Sequence, residues 1–272
     1  MLTQNDLQNG LKNLKIETGD TLLIHSNLMM LGGIEGARHR EEILAFYLKA
    51  FQNVVGSSGT LAVPAYFYEY ARFGEPFDTK HSPVSKSLGA FSSYLTALPN
   101  AVRSCNPLQS IASLGAKAEL ISGGDSLSGY GVNSPWHRLR QQKAKIVFVG
   151  IGVETMTYVH HIEQAVGVPH MYWKLYATPV LRDGKAVLGN PVSAVRYLNY
   201  EIEYFLIPFE ELLLKQGIAK SQPVGKGRIL VVDAEQAYQL GIQCLEKNIY
   251  YFLKNPPKFI PGQIPFDGVT SR

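Results

Sequence analysis

His160 and Glu163 stand three residues apart in the run Phe148–Lys174, FVGIGVETMTYVHHIEQAVGVPHMYWK. On a helix that spacing puts an imidazole and a carboxylate on one face. A carboxylate beside an imidazole raises its basicity and fixes its tautomer, as a general base requires. Thr157 lies three residues before His160 on the same stripe, whereas His161 points about 100° away around the helix. Two other readings use the same residues. A solvated histidine–glutamate pair would carry no chemistry, and a metal site would need His170 or Glu154 as a third ligand. The chain has no HExxH, no cysteine pair and no Asp-rich run, so no metal is expected.

Three loops offer hydroxyls, a guanidinium and backbone N–H groups suited to an anion or an amide. His25-Ser26-Asn27-Leu28 follows an apolar run at the place where a phosphate can meet exposed N–H groups. Arg103-Ser104-Cys105-Asn106-Pro107, with Ser110 and Gly115 downstream, supplies a cation and hydroxyls. Gly131–Pro135 (GVNSP) ends in Ser134, which could also cap a helix opening at Pro135. Arg103 has an ordinary alternative as a surface salt-bridge partner. Gly124–Leu127 spells GDSL, a string found in a serine hydrolase family, but the DxxH that accompanies it there is missing, so a turn is expected. Cys105 as a nucleophile served by His160 is a further alternative, against the usual role of a free cysteine as a small buried hydrophobe.

These residues need a scaffold. Thr21–His25, Thr60–Pro64, Lys145–Gly150 and Arg228–Asp233 are short apolar runs that read as strands buried on both faces. Tyr176–Arg182 and Lys185–Leu188 flank an Asp183-Gly184 turn and read as a hairpin. Between the strands lie helical patterns: a helix capped by Thr3, Arg40–Asn53, a segment after Pro83 with Leu88, Phe91 and Leu95 on one side, and Met156–Val166. Another opens at Asp233 and runs to about Leu253, before Pro256, Pro257 and an irregular tail. Strands alternating with helices predict a three-layer α/β/α sandwich around a mixed, largely parallel sheet, in one domain spanning residues 1–272. In such sheets ligands bind beyond the carboxyl ends of strands, and the glycine loop before Thr157 stands at one of those ends.

Composition narrows the class. With 46% apolar and 18% charged residues among 272, the chain has the profile of a globular protein. Two distant cysteines form no disulfide framework and suit a reducing cytoplasm. Neither a signal peptide nor an apolar run of about 20 residues is present, so no membrane partner is expected. The formal charge of +4 is spread along the chain, without the basic stripe of a nucleic-acid binder. A homo-oligomer is compatible with the sequence.

Six ordered motifs resemble the aminoglycoside 3-N-acetyltransferase family: HSNLMMLG at 25–32, GTLAVPAY at 59–66, FDTKHSPVSKSLGAF at 77–91, RSCNPLQSIASLG at 103–115, GVNSPWHRL at 131–139 and TYVHHIE at 157–163. They are similar to that family's HSSLxxLG, GTLxxP, FDxxxSPxxxxGxF, RSxHPxxSxxxxG, GxxSPxxxL and TxxHxxE. The resemblance covers roughly residues 1–175. It implies an α/β/α fold distinct from the commoner small acetyltransferase fold, acetyl-CoA or another acyl-CoA as co-substrate, and an amine on a sugar as acceptor. By position it implies His160 as general base and Glu163 as its partner. The tetrahedral oxyanion of such a transfer needs a donor, for which Thr157 and a backbone N–H of the 25–28 loop are both candidates. Coenzyme A is expected at His25, Ser26, Asn27, Leu28, Arg103, Ser104, Pro107, Ser110 and Ser134, and the acceptor near Tyr66, Glu69 and Asp78. The chain departs from the family at Asn27 and at Asn106, which replace a serine and a histidine. Its segment 65–77 is rich in aromatics and poor in acids, where a polycation would favour an acidic cleft. Tyr66, Phe67 or Tyr68 could stack on a base or pack on a sugar. The expectation is therefore N-acylation of an amino sugar, preferably nucleotide-linked, with aminoglycoside resistance as the alternative and a hydrolase or non-catalytic coenzyme A-binding relative outside the class.

Overall fold

A computed structural model describes residues 1–266. The chain begins with α1 (Gln4–Asn13), where the Thr3 hydroxyl and the Asp6 carboxylate cap reciprocally. Next come β1 (Thr21–Ser26), α2 (Arg40–Val55), β2 (Thr60–Pro64), α3 (Glu69–Phe73), β3 (Phe77–Asp78) and α4 (Ala90–Thr96). The middle of the chain supplies β4 (Val102–Arg103), β5 (Ile111–Gly115), α5 (Ala118–Ser122), α6 (Pro135–Gln141), β6 (Lys145–Val149) and α7 (Val159–Val166). Four strands follow: β7 (Met171–Leu175), β8 (Val180–Arg182), β9 (Lys185–Ala186) and β10 (Val192–Arg196). The last elements are α8 (Ile207–Lys215), β11 (Ala219–Val224), β12 (Gly227–Asp233) and α9 (Ala234–Lys247).

The main sheet has seven strands in the order β11-β12-β6-β1-β2-β5-β4. It is mixed, as expected, and its parallel pairing is confined to the central strands β6, β1 and β2. Every other pair is antiparallel. Alternate residues of the apolar strands enter two cores on opposite faces. Leu22, Ile24, Val147, Val149, Ile229 and Val231 pack with α1, α2 and α4. Leu23, Ile146, Phe148, Leu230 and Val232 pack with α6, α7, α8 and α9. Both faces of a central strand are therefore covered, which explains its unbroken apolar sequence.

Several boundaries differ from expectation. The helix expected from Met156 begins at Val159, because a 3₁₀ turn at Val153–Thr155 comes first. Thr157 is thus in the connecting turn and not on the helix. The C-terminal helix ends at Lys247, where the Asn248 N–H closes it on the Cys244 carbonyl. Ile111–Gly115, which the sequence reading does not mark as a strand, is one of the main sheet, and β7 pairs antiparallel with β10. The final irregular stretch is described to residue 266; residues 267–272 of that expected tail lie outside the described residues.

Candidate active site

The three parallel strands end side by side, and the loops leaving their carboxyl ends build the site. β1 delivers residues 25–28, β2 delivers Tyr66 and Tyr68, and β6 delivers the turn leading to α7. At the end of β6, Gly150 has φ +69°, and a Cβ there would collide with the Asn27 carbonyl oxygen. Only a glycine lets the two loops approach so closely. The turn is anchored from below: Glu210 on α8 accepts from the Val153 N–H at 2.9 Å, and Glu154 accepts from Gly152 at 3.0 Å.

On α7, His160 Nδ1 lies 2.8 Å from Glu163 Oε2. Glu163 is completely buried, yet it takes two further donors, His170 Nε2 at 2.9 Å and the Tyr204 hydroxyl at 2.9 Å. Burial alone would raise its pKa, but the hydrogen bonds and charges of His160 and His170 hold the carboxyl below its ordinary value. A carboxylate in this position keeps the His160 proton on Nδ1 and leaves Nε2 as the basic nitrogen. The His160 ring is 23% exposed, sits between Tyr130 and Tyr204, and meets the latter edge-on at 4.9 Å. Sequence spacing pointed to Glu163. It gave no sign of Tyr204, which arrives from a segment 41 residues further on, and His170 was considered only as a metal ligand.

Two clefts meet here. One, of about 670 Å³, is lined by His160, Tyr66, Tyr68, Tyr130, Gln109 and Tyr204, with β7 and β10 forming its outer wall. The other, of about 780 Å³, is lined by His25–Met29, Lys86–Gly89, Arg40 and Ile151. Thr157 and Tyr68 line both. The Thr157 hydroxyl comes close to that of Tyr66, but neither makes an aligned hydrogen bond. Burial pushes the Tyr66 phenol far above its ordinary pKa, so it stays protonated.

The structure places His25, Ser26, Asn27 and Leu28 together on the second cleft. His25 itself is buried and stacks on Phe148, and burial lowers its pKa to about 4, so the ring is neutral. The Asn27 N–H is already bonded to the Val149 carbonyl, which removes one candidate oxyanion donor. Arg40 and Lys86 are cations of this cleft that sequence reading passed over.

The second group of expected coenzyme A contacts has other work. Arg103 is 3% exposed and packs over Phe77, and its guanidinium donates to the carbonyls of Ala65, Ser82 and Pro83. It is a strut between the end of β2 and the 82–83 loop that lines neither cleft, and it is not a surface ion pair. Ser104 accepts from the Ile111 N–H at 3.0 Å, Ser110 donates to the Ala65 carbonyl, and the Pro107 carbonyl accepts from Phe67. Ser134 caps α6 by accepting from His137 at 3.2 Å. All four are buried, and none lines either cleft.

Of the expected acceptor contacts, only Tyr66 lines the first cleft. Asp78 accepts from the Lys80 and His81 N–H groups at 2.8 and 3.1 Å and closes a turn. Glu69 faces Ser85 at 3.4 Å. Asn106 is wholly buried and ties the 103–110 loop to β10, donating to the carbonyls of Leu127 and Val192 at 2.9 and 3.1 Å. Cys105 is buried beside Arg182 and the Gly124 carbonyl, and burial raises its thiol pKa. It lines neither cleft, and Asp125 of the GDSL string pairs with Arg182. Among the described residues no group of three or more His, Cys, Asp or Glu side chains is arranged to hold a metal ion, and no helix is long and apolar enough to cross a membrane.

A family description, aminoglycoside 3-N-acetyltransferase, matches residues 23–246. An aminoglycoside N(3)-acetyltransferase III from Salmonella sp is 25% identical over 272 residues, covering 91% of this chain and 93% of that protein. The apoenzyme crystal structure of the aminoglycoside acetyltransferase AAC(3)-IVa superimposes with a TM-score of 0.76 at 25% identity, over 94% of this chain and 92% of that one. A structure of AAC-IIIb in binary complex with CoASH superimposes with a TM-score of 0.74 at 23% identity, over 94% and 99%.

Proposed function

The chain belongs to the aminoglycoside 3-N-acetyltransferase family and so is an acyl-CoA-dependent N-acyltransferase with acetyl-CoA as co-substrate, and from this premise we propose that His160 activates the amine of an amino sugar for direct attack on the thioester. The observation that carries the reading is the junction of the two clefts at Thr157 and Tyr68, with His160 on one side and the 25–28 loop on the other. The cleft holding residues 25–29 would take coenzyme A, with Arg40 and Lys86 near its phosphates, and the cleft holding His160 would take the acceptor.

In the proposed reaction an unprotonated amine attacks the carbonyl carbon of the acetyl thioester. A C–N bond forms and the carbonyl π pair moves onto oxygen. His160 Nε2 removes the proton that the nitrogen sheds, while Glu163 stabilises the imidazolium. The Thr157 hydroxyl donates to the oxyanion. Collapse breaks the C–S bond, and the proton on His160 passes to the departing sulfur.

The relatives' names support an aminoglycoside as acceptor over the nucleotide-linked sugar expected from the aromatic loop. An amine on a sugar ring is common to both. The test is acetyl-CoA with a panel of aminoglycosides and simpler amino sugars, followed by release of free thiol. We expect acceptor-dependent release that falls about 10²–10⁴-fold in His160→Ala, with coenzyme A binding retained. Turnover near that of the wild type in this variant would sink the assignment, and release without acceptor would indicate a hydrolase.

A further inference from the structure

The cleft that contains His160 has an unusual charge for a site meant to receive ammonium groups. Among the described residues its lining includes Arg72 from α3 and Arg196 from β10, and no aspartate or glutamate. Glu163 stands behind His160 with both carboxylate oxygens occupied. Arg72 and Arg196 are exposed to solvent and line the same cleft as Tyr68 from different elements; Arg72 lies over the Tyr68 ring at 5.4 Å. Burial raises the pKa of the Tyr68 phenol against the opposing charges of Arg72 and Arg196, and it raises that of Tyr204, the hydroxyl that holds Glu163, against the charge of Arg196. Arg196 is steadied by one bond to the Ile202 carbonyl at 3.1 Å. Two planar guanidinium groups at the mouth of a tyrosine-lined cleft match the fork geometry that binds carboxylate or phosphate oxygens. A polycation placed there would meet the like charges of Arg72 and Arg196, and no carboxylate among the described lining residues offsets them.

Taking the acyl-transfer reading above as its basis, but departing from the aminoglycoside acceptor that the relatives' names support, we infer that the acceptor carries an anionic group, held by Arg72 and Arg196 while its amine faces His160. The reaction is then that of the family, applied to an amine of the opposite overall charge from an aminoglycoside. Tyr66, Tyr68 and Tyr130 would pack on the sugar between the two ends.

The experiment compares kcat/KM for glucosamine 6-phosphate, glucosamine and gentamicin, with a 2-amino-2-deoxyhexuronate to separate a phosphate from a carboxylate source. We expect the anionic amines to exceed glucosamine by about tenfold or more, chiefly in KM, and gentamicin to be poorest. Arg72→Ala and Arg196→Ala should each remove most of that preference while glucosamine turnover persists, and Arg196→Lys should restore part of it. Equal rates for glucosamine and its phosphate, or a preference for gentamicin, would overturn the inference. So would arginine variants that raise KM for acetyl-CoA alone, which would assign these cations to the co-substrate. If no amine is acetylated, the acyl-transfer reading fails separately. Calorimetric binding of the same amines to His160→Ala then decides the charge preference, and identical affinities overturn it.

Discussion

Glu163 has no exposed surface and accepts from His160, His170 and Tyr204, so its replacement disturbs both chemistry and packing. In Glu163→Gln the amide can accept at one oxygen only, and its NH₂ would face a donor. We expect kcat to fall by about 10²-fold or more as His160 loses its fixed tautomer, and stability to drop by about 1–3 kcal/mol as buried donors go unpaired. Thiol-release kinetics and urea titration of the same protein measure the two effects. Thr157→Ala should cost about 10²–10³ in kcat if its hydroxyl meets the oxyanion, while Thr157→Ser keeps most of the activity. Arg103→Ala is the contrasting case, because its bonds run to the main-chain carbonyls of Ala65, Ser82 and Pro83, which line neither cleft. It should lose about 3 kcal/mol of stability, the scale of a broken buried network, with KM for acetyl-CoA unchanged. A raised KM would return Arg103 to the co-substrate.

The elements differ in how openly their sequences declare them. β1, β2, β6 and β12 are apolar on both faces, and the folded sheet buries both, so composition alone marked them. β5 carries Ser113 among its apolar residues and is not marked as a strand by its sequence, because that serine is satisfied by Ser122, a partner nine residues away that no local pattern reveals. β7 and β10 were missed for a related reason: they pair across a long connection and are partly exposed, so neither shows alternation. The active helix was legible because His160 and Glu163 are local to one turn. The rest of the site depends on which strands end together. Asn106 is where the elements meet, since it fastens the 103–110 loop to β10. Asn106→Ala should destabilise by about 1–3 kcal/mol and raise KM for the acceptor more than for acetyl-CoA, because β10 lines only the cleft proposed for the acceptor. Equal effects on both substrates would contradict that division.

At the scale of the whole molecule, His25 and His161 are buried as neutral rings, and burial depresses both pKa values from the ordinary 6.5 to about 4. The unfolded chain takes up these protons near pH 6.5 and the folded chain resists until about pH 4, so stability must fall as pH drops through that window. The loss is about 3 kcal/mol per histidine by the lower end. The lowered pKa of Glu163 acts in the same sense, since its contribution disappears as pH falls through the depressed value. Urea midpoints at pH 7.5, 5.5 and 4.5 should decline steadily, and His25→Gln should flatten the slope; a flat profile in the parent protein would refute the neutral-ring assignment. The meeting of the two clefts at Thr157 and Tyr68 has a consequence for the order of events. If acetyl-CoA takes one cleft and the acceptor the other, as proposed, neither must leave before the other arrives, and no acyl group needs to be parked on the protein between them. Initial-rate plots at several fixed acceptor concentrations should therefore intersect instead of running parallel. Free coenzyme A should compete with acetyl-CoA alone, leaving the acceptor free to bind beside it.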